Sequence, residues 1–310
     1  MVGLRPPPRV MTEPSSAVAP RRGPIRRASA TLFRHPKGKL ALMLALPLGW
    51  LVIIYLVSLL LLLVTSFWQL NVLTSQIEKV WGLQNYKTIA QGSVYHTIIL
   101  RTVGMAAAVT VTDLVLAFPI SYYMGRLARP RIRHLLTLAV VLPLWSNYLV
   151  RMFSWKILTA GNGPIESILS AVGIDKSLAA SNWAVWLTFS YLWLPFAILP
   201  IYAAFERVPG SLLEASSDLG ARGWITFRRV IVPLVFPGMV AASIFTFSLT
   251  LGDYITPIYV GKAFFIGNAI YNLVGLASNL PLAAAFATVP VVVMGIYLTV
   301  VRRMGALEAL

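Results

Sequence analysis

Six long apolar segments constrain the fold of this chain more than any other feature of its sequence. A helix that spans a bilayer needs about 20 mostly apolar residues, and each segment reaches that length. The segments cover approximately residues 40–67, 96–123, 134–155, 184–205, 232–259 and 281–301. With 58% apolar and only 12% charged residues, the composition is also typical of an integral membrane protein. We therefore predict an all-α integral membrane protein with six transmembrane helices.

The first apolar segment is expected to remain in the mature protein as a membrane anchor. It is longer than the apolar region of a cleaved signal peptide, which spans about 7–15 residues. The preceding tail is basic, rich in proline and without a periodic apolar face, which predicts disorder and contact with anionic lipid, or alternatively a partner-binding arm. The predicted parts are a cytoplasmic tail at 1–39, the first anchor at 40–67, a periplasmic loop at 68–95, a core with five transmembrane helices at 96–303 and a cytoplasmic tail at 304–310.

The distribution of Lys and Arg residues predicts the orientation in the membrane, because cytoplasmic loops carry an excess of them. Of the 26 Lys and Arg residues, 19 lie on the side of the amino terminus, 5 lie on the other side, and 2 lie inside apolar segments. Both termini are therefore expected to be cytoplasmic in this multi-pass protein. The two inside apolar segments, Arg101 and Arg151, lie near outer ends, from which their side chains can reach the membrane surface.

The available residues exclude several kinds of chemistry. The chain has no cysteine, which excludes disulfides and cysteine metal sites. Its histidines, His35, His96 and His134, show no metal-ligand spacing. No glycine-rich phosphate loop occurs, so ATP hydrolysis, a catalytic site and a bound cofactor are not expected in this chain. The net charge of +16 does not indicate nucleic acid, because in a membrane protein the location of charge matters more than its sum.

A polar segment between the fourth and fifth apolar segments, residues 206–237, reads ERVPGSLLEASSDLGARGWITFRRVIVPLVFP. Ser211 and Glu214 have the spacing of a capping box, which predicts that a helix begins at Leu212. Gly220 is expected to end this helix in the left-handed conformation. A second short helix is predicted from about 224 to 229, before a proline interrupts the pattern. The segment therefore predicts a rigid helix-turn-helix, here called the knob (residues 206–233).

The knob contains four residues at the spacing of the EAA signature, namely Glu214, Ala215, Gly220 and Pro233. The signature is altered at three positions, Ser216, Val230 and Val232. With these residues the knob resembles the coupling loop of the permease subunits of binding-protein-dependent ABC importers. The resemblance implies a type I ABC importer permease fold, in which this cytoplasmic loop docks on a separate ATPase. The residues that we assign to ATPase coupling are Glu214, Ala215, Gly220, Arg222 and Pro233.

Two stretches combine polar groups, aromatic rings and helix-breaking residues, which predicts that they line the path of a solute. One contains Asp253 and Tyr254 beside a glycine and a proline, and the other contains Trp145 and Tyr148. Irregular backbone within a membrane is tolerated where it faces protein or water. Asp113, inside the second apolar segment, is a further candidate, with pairing to a basic group as the alternative. The predicted path residues are Asp253, Tyr254, Trp145, Tyr148 and Asp113.

The same two stretches, LPLWSNYLVRMFSW and LGDYITPIYVGKAFFIGNAI, resemble those of spermidine/putrescine-type permeases. With the EAA signature, the resemblance covers most of residues 96–303. It implies import of a polyamine, or a similar small organic amine, across the bacterial inner membrane. The implied partners are two copies of a cytoplasmic ABC ATPase, a second permease subunit expected to be a different chain, a periplasmic or lipid-anchored solute-binding protein, and membrane lipid. No nucleic acid partner is expected.

Other functions stay open on the sequence alone. Permeases for opines, iron and thiamine share parts of both stretches, so the solute could instead be an opine, an amino-acid derivative, an iron chelate or thiamine. A secondary transporter would need its own ion-coupled carboxylates and usually internal repeats, for which Asp113 and Asp253 are thin support. An intramembrane enzyme is disfavoured because no metal motif or nucleophile–base pair stands at a readable spacing.

Overall fold

The computed structural model describes residues 36–71, 73–171, 173 and 177–303. Residues 1–35 of the expected disordered tail lie outside the described residues, as does the carboxyl-terminal tail from position 304. Residues 36–39, which were also expected to belong to the disordered tail, begin a helix instead. The chain divides into two units at residue 60. The described part of the first unit is helical: α1 covers Pro36–Leu51 and leads through a wide turn, Val52–Leu56, into the helix α2, Val57–Thr65, whose last five residues, 61–65, belong to the second unit.

The second unit consists of further helices and one small sheet. Its helices are α3 Gln84–Gln91, α4 Ser93–Tyr122, α5 Pro130–Trp145, α6 Tyr148–Leu158, α7 Pro164–Ala171, α8 Asn182–Arg207, α9 Gly210–Asp218, α10 Gly223–Thr226, α11 Val232–Gly252, α12 Ile255–Tyr259, α13 Ile266–Gly275 and α14 Leu280–Arg303. Wide turns with the hydrogen-bond spacing of a π-helix extend α4 (Tyr123–Leu127) and join α10 to α11 (Phe227–Ile231). The strands are β1 Gln69–Asn71 and β2 Gln76–Glu78.

The predicted helical membrane fold is confirmed in the described residues. Five helices are long and apolar enough to cross a membrane, and a sixth crossing results if the bent pair α5 and α6 counts as one. The first of the five, Met43–Thr65, falls within the expected anchor. Within the described residues, the short sheet is the one departure from an all-α structure.

The expected periplasmic loop is more ordered than the sequence suggests. Strands β1 and β2 pair antiparallel, and Asn71 Oδ1 accepts hydrogen bonds from the backbone N–H groups of Leu73 and Thr74, which fixes the turn. Helix α3 follows, and the hydroxyls of Tyr86 and Ser66 lie 2.7 Å apart, which ties α3 to the chain just after α2. Strands of three residues are too short to give a periodic signal, so sequence reasoning missed them.

Helices α4, α8 and α11 form the core of the second unit. The fully buried stripe of α4 follows helical spacing through Ala106, Val109, Asp113 and Ala117. Glycines allow close approach to α8: a Cβ at Gly125 would lie 2.7 Å from Cβ of Phe205, and a Cβ at Gly238 would lie 2.5 Å from Cβ of Ala204. The chain at the two ends of α11 carries the two candidate functional regions described below.

The third apolar segment is not the single span that the sequence predicts at 134–155. Helices α5 and α6 meet at an angle of 95°. Between them Ser146 and Asn147 are extended, with ψ angles of 148° and 133°. The Asn147 side chain accepts a hydrogen bond from the Leu149 N–H group and so caps α6. Because asparagine is a strong helix-capping residue, this polar pair ends one helix and starts another inside an apolar stretch.

The fifth apolar segment is shifted from the predicted 232–259. The helices α10 and α11 and the wide turn between them form one continuous helix from Gly223 to Gly252, so Pro233 does not interrupt the second knob helix as predicted. The wide turn directly before Pro233 opens the helix where a proline ring would otherwise collide with the carbonyl four residues earlier. At the other end the backbone becomes extended at Asp253, and α12 is a separate short helix.

Candidate functional site

The first knob helix, α9, ends in a turn that requires glycine. Gly220 has a φ of +73°, which confirms the predicted left-handed conformation. Its N–H group donates to the Ser217 carbonyl at 2.8 Å, and the Ala221 N–H group donates to the Ser216 carbonyl at 3.1 Å. These two bonds form a Schellman motif, which satisfies carbonyl groups that a helix end leaves without partners. Gly220 therefore fixes the direction in which the chain leaves α9.

The start of α9 differs from the prediction. The helix begins at Gly210, directly after Pro209, and no side chain caps it. The predicted capping box of Ser211 and Glu214 is therefore wrong. Pro209 is extended, with φ of −66° and ψ of 136°, so the next residue is already helical. Ser211 then lies inside the first turn rather than ahead of it, where a cap would have to be.

A hydrogen bond joins the two knob helices. The hydroxyls of Ser216 in α9 and Thr226 in α10 lie 2.8 Å apart. Ser216 stands where the EAA signature has its second alanine, so this departure supplies a contact that alanine cannot make. The ring of Trp224 also stacks on Phe227, with centroids 5.5 Å apart. The Ser216–Thr226 contact restricts the angle between α9 and α10, and the Trp224–Phe227 stack lies within the second helix.

The residues assigned to coupling lie on the surface of the knob. All five of these residues are exposed, namely Glu214, Ala215, Gly220, Arg222 and Pro233. Large apolar side chains lie in the same segment, with Leu219 exposed to 88% and Trp224 to 69%. Exposed apolar groups rimmed by polar residues are typical of a protein interface. Pro233 also lines, with Arg207, a cavity of ≈ 410 Å³ between α8 and α11.

Asp253 and Tyr148 come together at the end of α11 opposite the knob. Asp253 Oδ1 accepts hydrogen bonds from the N–H groups of Ile255 at 2.8 Å and Thr256 at 3.0 Å, so it caps α12. The Tyr148 hydroxyl donates to Asp253 Oδ2. The Thr256 hydroxyl lies 3.2 Å from the same oxygen. The structure therefore joins the two stretches that the sequence singles out.

Aromatic rings form walls around this carboxylate. Trp193 of α8 stacks on Tyr148, with ring centroids 6.1 Å apart. Tyr254 is 41% exposed. These three rings and Asp253 line a cavity of ≈ 330 Å³, here called the pocket. Sequence reasoning missed Trp193, because the fourth apolar segment holds many aromatic residues and no spacing distinguishes this one.

Two predicted path residues lie outside the pocket. Trp145, the last residue of α5, is 87% exposed and does not line the cavity. Asp113 is fully buried in α4, and neither of its carboxylate oxygens has a hydrogen-bond partner among the described residues. The structure therefore brings Asp253, Tyr148 and Tyr254 together and leaves the other two apart, and the described chain offers Asp113 no basic partner.

The two arginines inside apolar segments have different surroundings. Arg101 Nη1 donates a hydrogen bond to the Phe264 carbonyl at 3.2 Å. Arg151 lies one turn beyond Tyr148 in α6, and its Nε and Nη1 atoms are buried without a hydrogen-bond partner in the described part of the chain. Arg151 is therefore more enclosed than a side chain that only reaches toward the membrane surface.

Comparison with known proteins identifies the family. The chain matches the family model described as "Binding-protein-dependent transport system inner membrane component" over residues 117–306. It is 41% identical to the inner membrane ABC transporter permease protein YdcU of Escherichia coli (strain K12), over 94% of this chain and 98% of that protein. It is 31% identical to the spermidine/putrescine transport system permease protein PotB of Salmonella typhimurium (strain SL1344), over 84% of this chain and 91% of that protein.

A solved structure agrees with this result at the level of the fold. The chain is similar to a bacterial ABC transporter involved in the import of the acidic polysaccharide alginate, with a TM-score of 0.68 and 18% identity, over 90% of this chain and 98% of that chain. The chain therefore belongs to the family of binding-protein-dependent transport system inner membrane components, and it is the permease subunit of an ABC importer.

Proposed function

We propose that this permease carries a polyamine, or a similar small organic amine, through the pocket around Asp253. Permeases of ABC importers work with an ATPase and a periplasmic binding protein. The similarity to a spermidine/putrescine permease supports an amine. The observation that carries the proposal is a carboxylate that shares one cavity with three aromatic rings.

Asp253 has room for an ammonium group beside the bonds that hold it. A carboxylate has about four lone-pair sites, of which the backbone of α12 occupies two and Tyr148 a third. The Thr256 hydroxyl lies 2.7 Å from the Tyr148 hydroxyl but 3.2 Å from Asp253, so its single hydrogen favours Tyr148. One site is then left for a donor on the solute. Because none of the donors is cationic, the negative charge is available to attract one.

The rings around Asp253 suit an organic cation better than a metal ion. Each Trp or Tyr face attracts a cation by about 0.5–2 kcal/mol. The rings of Tyr148, Trp193 and Tyr254 also offer apolar area on which the methylene chain of a polyamine can pack. An inorganic cation would gain nothing from that area and would need more oxygen ligands.

We further propose that the knob docks on the ATPase in the cytoplasm. The excess of Lys and Arg on the knob side of the membrane supports this orientation, and both chain termini would lie on the same side. Glu214, Ala215, Gly220 and Arg222 would contact the ATPase, with Pro233 at the base. The complete transporter would hold two ATPase copies, a second permease of different sequence and a periplasmic or lipid-anchored binding protein.

A solute with both an amine and a carboxylate is the second candidate. The buried Nε and Nη1 atoms of Arg151 lack partners among the described residues, and an unpaired buried charge is costly. A carboxylate on the solute would bind a guanidinium with two parallel hydrogen bonds. This observation supports an opine or an amino-acid derivative as the second candidate, although Arg151 does not itself line the pocket.

The substitution Asp253→Asn tests the pocket because it removes charge and keeps shape. Asparagine caps a helix about as well as aspartate, so α12 should stay in place. Loss of one charge-assisted hydrogen bond, about 1–3 kcal/mol, should raise the spermidine concentration for half-maximal uptake by about 5–150-fold. The measurement is uptake of labelled spermidine into proteoliposomes that hold the assembled transporter, with ATPase activity recorded alongside.

The matched control is Glu78→Gln, which removes a carboxylate from strand β2, outside the pocket. It should leave uptake unchanged. Unchanged uptake at limiting spermidine in Asp253→Asn would contradict the proposed role of the pocket. Competition by excess opine, but not by excess putrescine, would favour the second candidate.

A further inference from the structure

Arg126, in the wide turn that extends α4, contacts the first residues of the knob. Its Nη2 atom donates a hydrogen bond of 2.5 Å to the carbonyl oxygen of Val208. Val208 is the residue after α8 and precedes Pro209, and carbonyl groups at a helix end lack intrahelical partners. A guanidinium also suits the negative end of the helix dipole. A side chain from the α4 turn therefore holds the point at which the knob begins.

Arg133, in the first turn of α5, binds the wide turn that carries Arg126. Its Nε atom donates to the Met124 carbonyl at 3.0 Å, and its Nη2 atom donates to the Gly125 carbonyl at 3.4 Å. Its Nη1 atom lies 4.0 Å from Glu206 Oε1, which also accepts a 2.5 Å hydrogen bond from the Tyr202 hydroxyl. The ends of α4, α5 and α8 are thus connected where the knob starts.

Close aromatic packing reinforces these polar contacts. Phe205 of α8 lies against Phe118 and Tyr122 of α4, with ring centroids 5.4 Å and 5.6 Å apart. Phe227, which follows α10, meets the same two α4 rings at 5.8 Å and 6.1 Å. Phe205, the residue directly before the knob, and Phe227 within the knob therefore both touch α4, so a displacement of the knob acts on α4 directly.

We propose that Arg126 is a positioning residue that makes the knob and α4 move as one body, so that work done on the knob by the ATPase reaches α4. The loop between the second and third apolar segments contains Arg126, Arg129, Arg131 and Arg133, which count equally toward the orientation predicted from the sequence. In the structure Arg126 and Arg133 are half-buried, whereas Arg129 and Arg131 are exposed. Arg129 and Arg131 carry the same charge as Arg126 but are exposed, so they serve as matched controls. The inference rests on the proposed docking of the knob on the ATPase.

The test compares Arg126→Met with Arg129→Met and Arg131→Met in the assembled transporter in proteoliposomes. Each variant removes one charge from the loop, but only Arg126→Met removes the bond to Val208. The ratio of labelled spermidine taken up to ATP hydrolysed should fall at least about five-fold in Arg126→Met, with the ATPase still bound. The two control variants should keep the parent ratio. If Arg126→Met keeps the uptake-to-ATP ratio of the unmodified protein, or if the ratio falls equally in all three variants, the inference is overturned.

A distance measurement reads the same contact without using the solute. The chain has no cysteine, so two cysteines can be introduced together, one in place of the exposed Leu127 and one in place of the exposed Ser217. They can then carry spin labels on the α4 turn and on α9. With Arg126 present, the distance between the labels should keep one narrow distribution when ATP is added. In Arg126→Met it should broaden, and in Arg129→Met it should not. An unchanged distribution in Arg126→Met would contradict the inference.

A second pair of variants separates this inference from the proposed docking. Arg126→Lys keeps the positive charge of the loop, which membrane insertion needs, but its side chain is shorter. It replaces Arg126→Met if that variant does not insert. An unchanged ratio of uptake to ATP hydrolysis in Arg126→Lys would count against the inference. If Gly220→Val loses the ATPase while the Arg126 variants couple normally, only the role of Arg126 is wrong. If Gly220→Val keeps both ATPase and transport, the docking proposal itself fails.

Discussion

Replacing Gly220 with valine should loosen the knob without a collision. A Cβ at this position would have no neighbouring heavy atom within 4 Å, so the added Cβ meets no neighbour. The cost is conformational: a φ of +73° lies in the left-handed region, which costs a residue with a Cβ about 1–2 kcal/mol, and β-branched residues are especially disfavoured there. This cost corresponds to about a 5–30-fold shift toward conformations that lack the two Schellman hydrogen bonds.

Purification through a tag on the permease measures how much ATPase stays bound. We expect Gly220→Val to insert normally, to retain less ATPase and to lose uptake in proportion. Gly223→Val is the matched control, because Gly223 also has open space around a Cβ but lacks a positive φ. Gly220→Asn should restore part of the activity, since asparagine tolerates the left-handed conformation.

Two results would refute this reasoning about the knob. Normal ATPase retention and uptake in Gly220→Val would show that the turn is only a connector. An equal loss in Gly223→Val would show that any added side chain harms the knob, in which case the conformation of Gly220 would not be the cause.

The remaining predictions concern orientation and the buried carboxyl of α4. A phosphatase fused after Lys79 should be active outside the membrane and one fused after Ser211 should be silent, so activity at Ser211 would contradict the proposed topology. Asp113→Asn should leave the half-maximal solute concentration unchanged and alter the amount of assembled complex or the uptake per ATP, because Asp113 is fully buried outside the pocket. A change in half-maximal concentration alone would put Asp113 on the solute path.

Features that depend on local spacing could be predicted from the sequence. The apolar segments follow from the length that a bilayer requires, and the left-handed turn at Gly220 follows from the preference of that position for glycine. The cap that Asn147 provides is local as well, but a long apolar stretch conceals it. The wide turn before Pro233 has no signature beyond the proline itself. Helix limits were therefore predicted less well than the existence of the helices.

Features that depend on tertiary contact could not be predicted. Tyr148 and Asp253 are 105 residues apart, so each was recognisable as a polar residue in an apolar setting, but their hydrogen bond was not. Trp193 joins them only because α8 packs beside both. Arg126 is a stronger case, since nothing in its local sequence distinguishes its role from that of the neighbouring Arg129. Only the carbonyl of Val208, contributed by the end of another helix, gives Arg126 a separate role.

The knob and the pocket occupy the two ends of one helix, which has a mechanical consequence. The helix from Gly223 to Gly252 has 30 residues, or about 45 Å at 1.5 Å per residue. Asp253 follows directly, so movement of the knob along or about this helix reaches the carboxylate with no loop between them. Helix α8 packs on α11 at Gly238 and carries Trp193, so sliding of α11 against α8 changes the separation of Trp193 from Asp253. If the knob docks on the ATPase and the pocket holds the solute, as we propose, a cation between ring and carboxylate would be held or released according to the position of the knob.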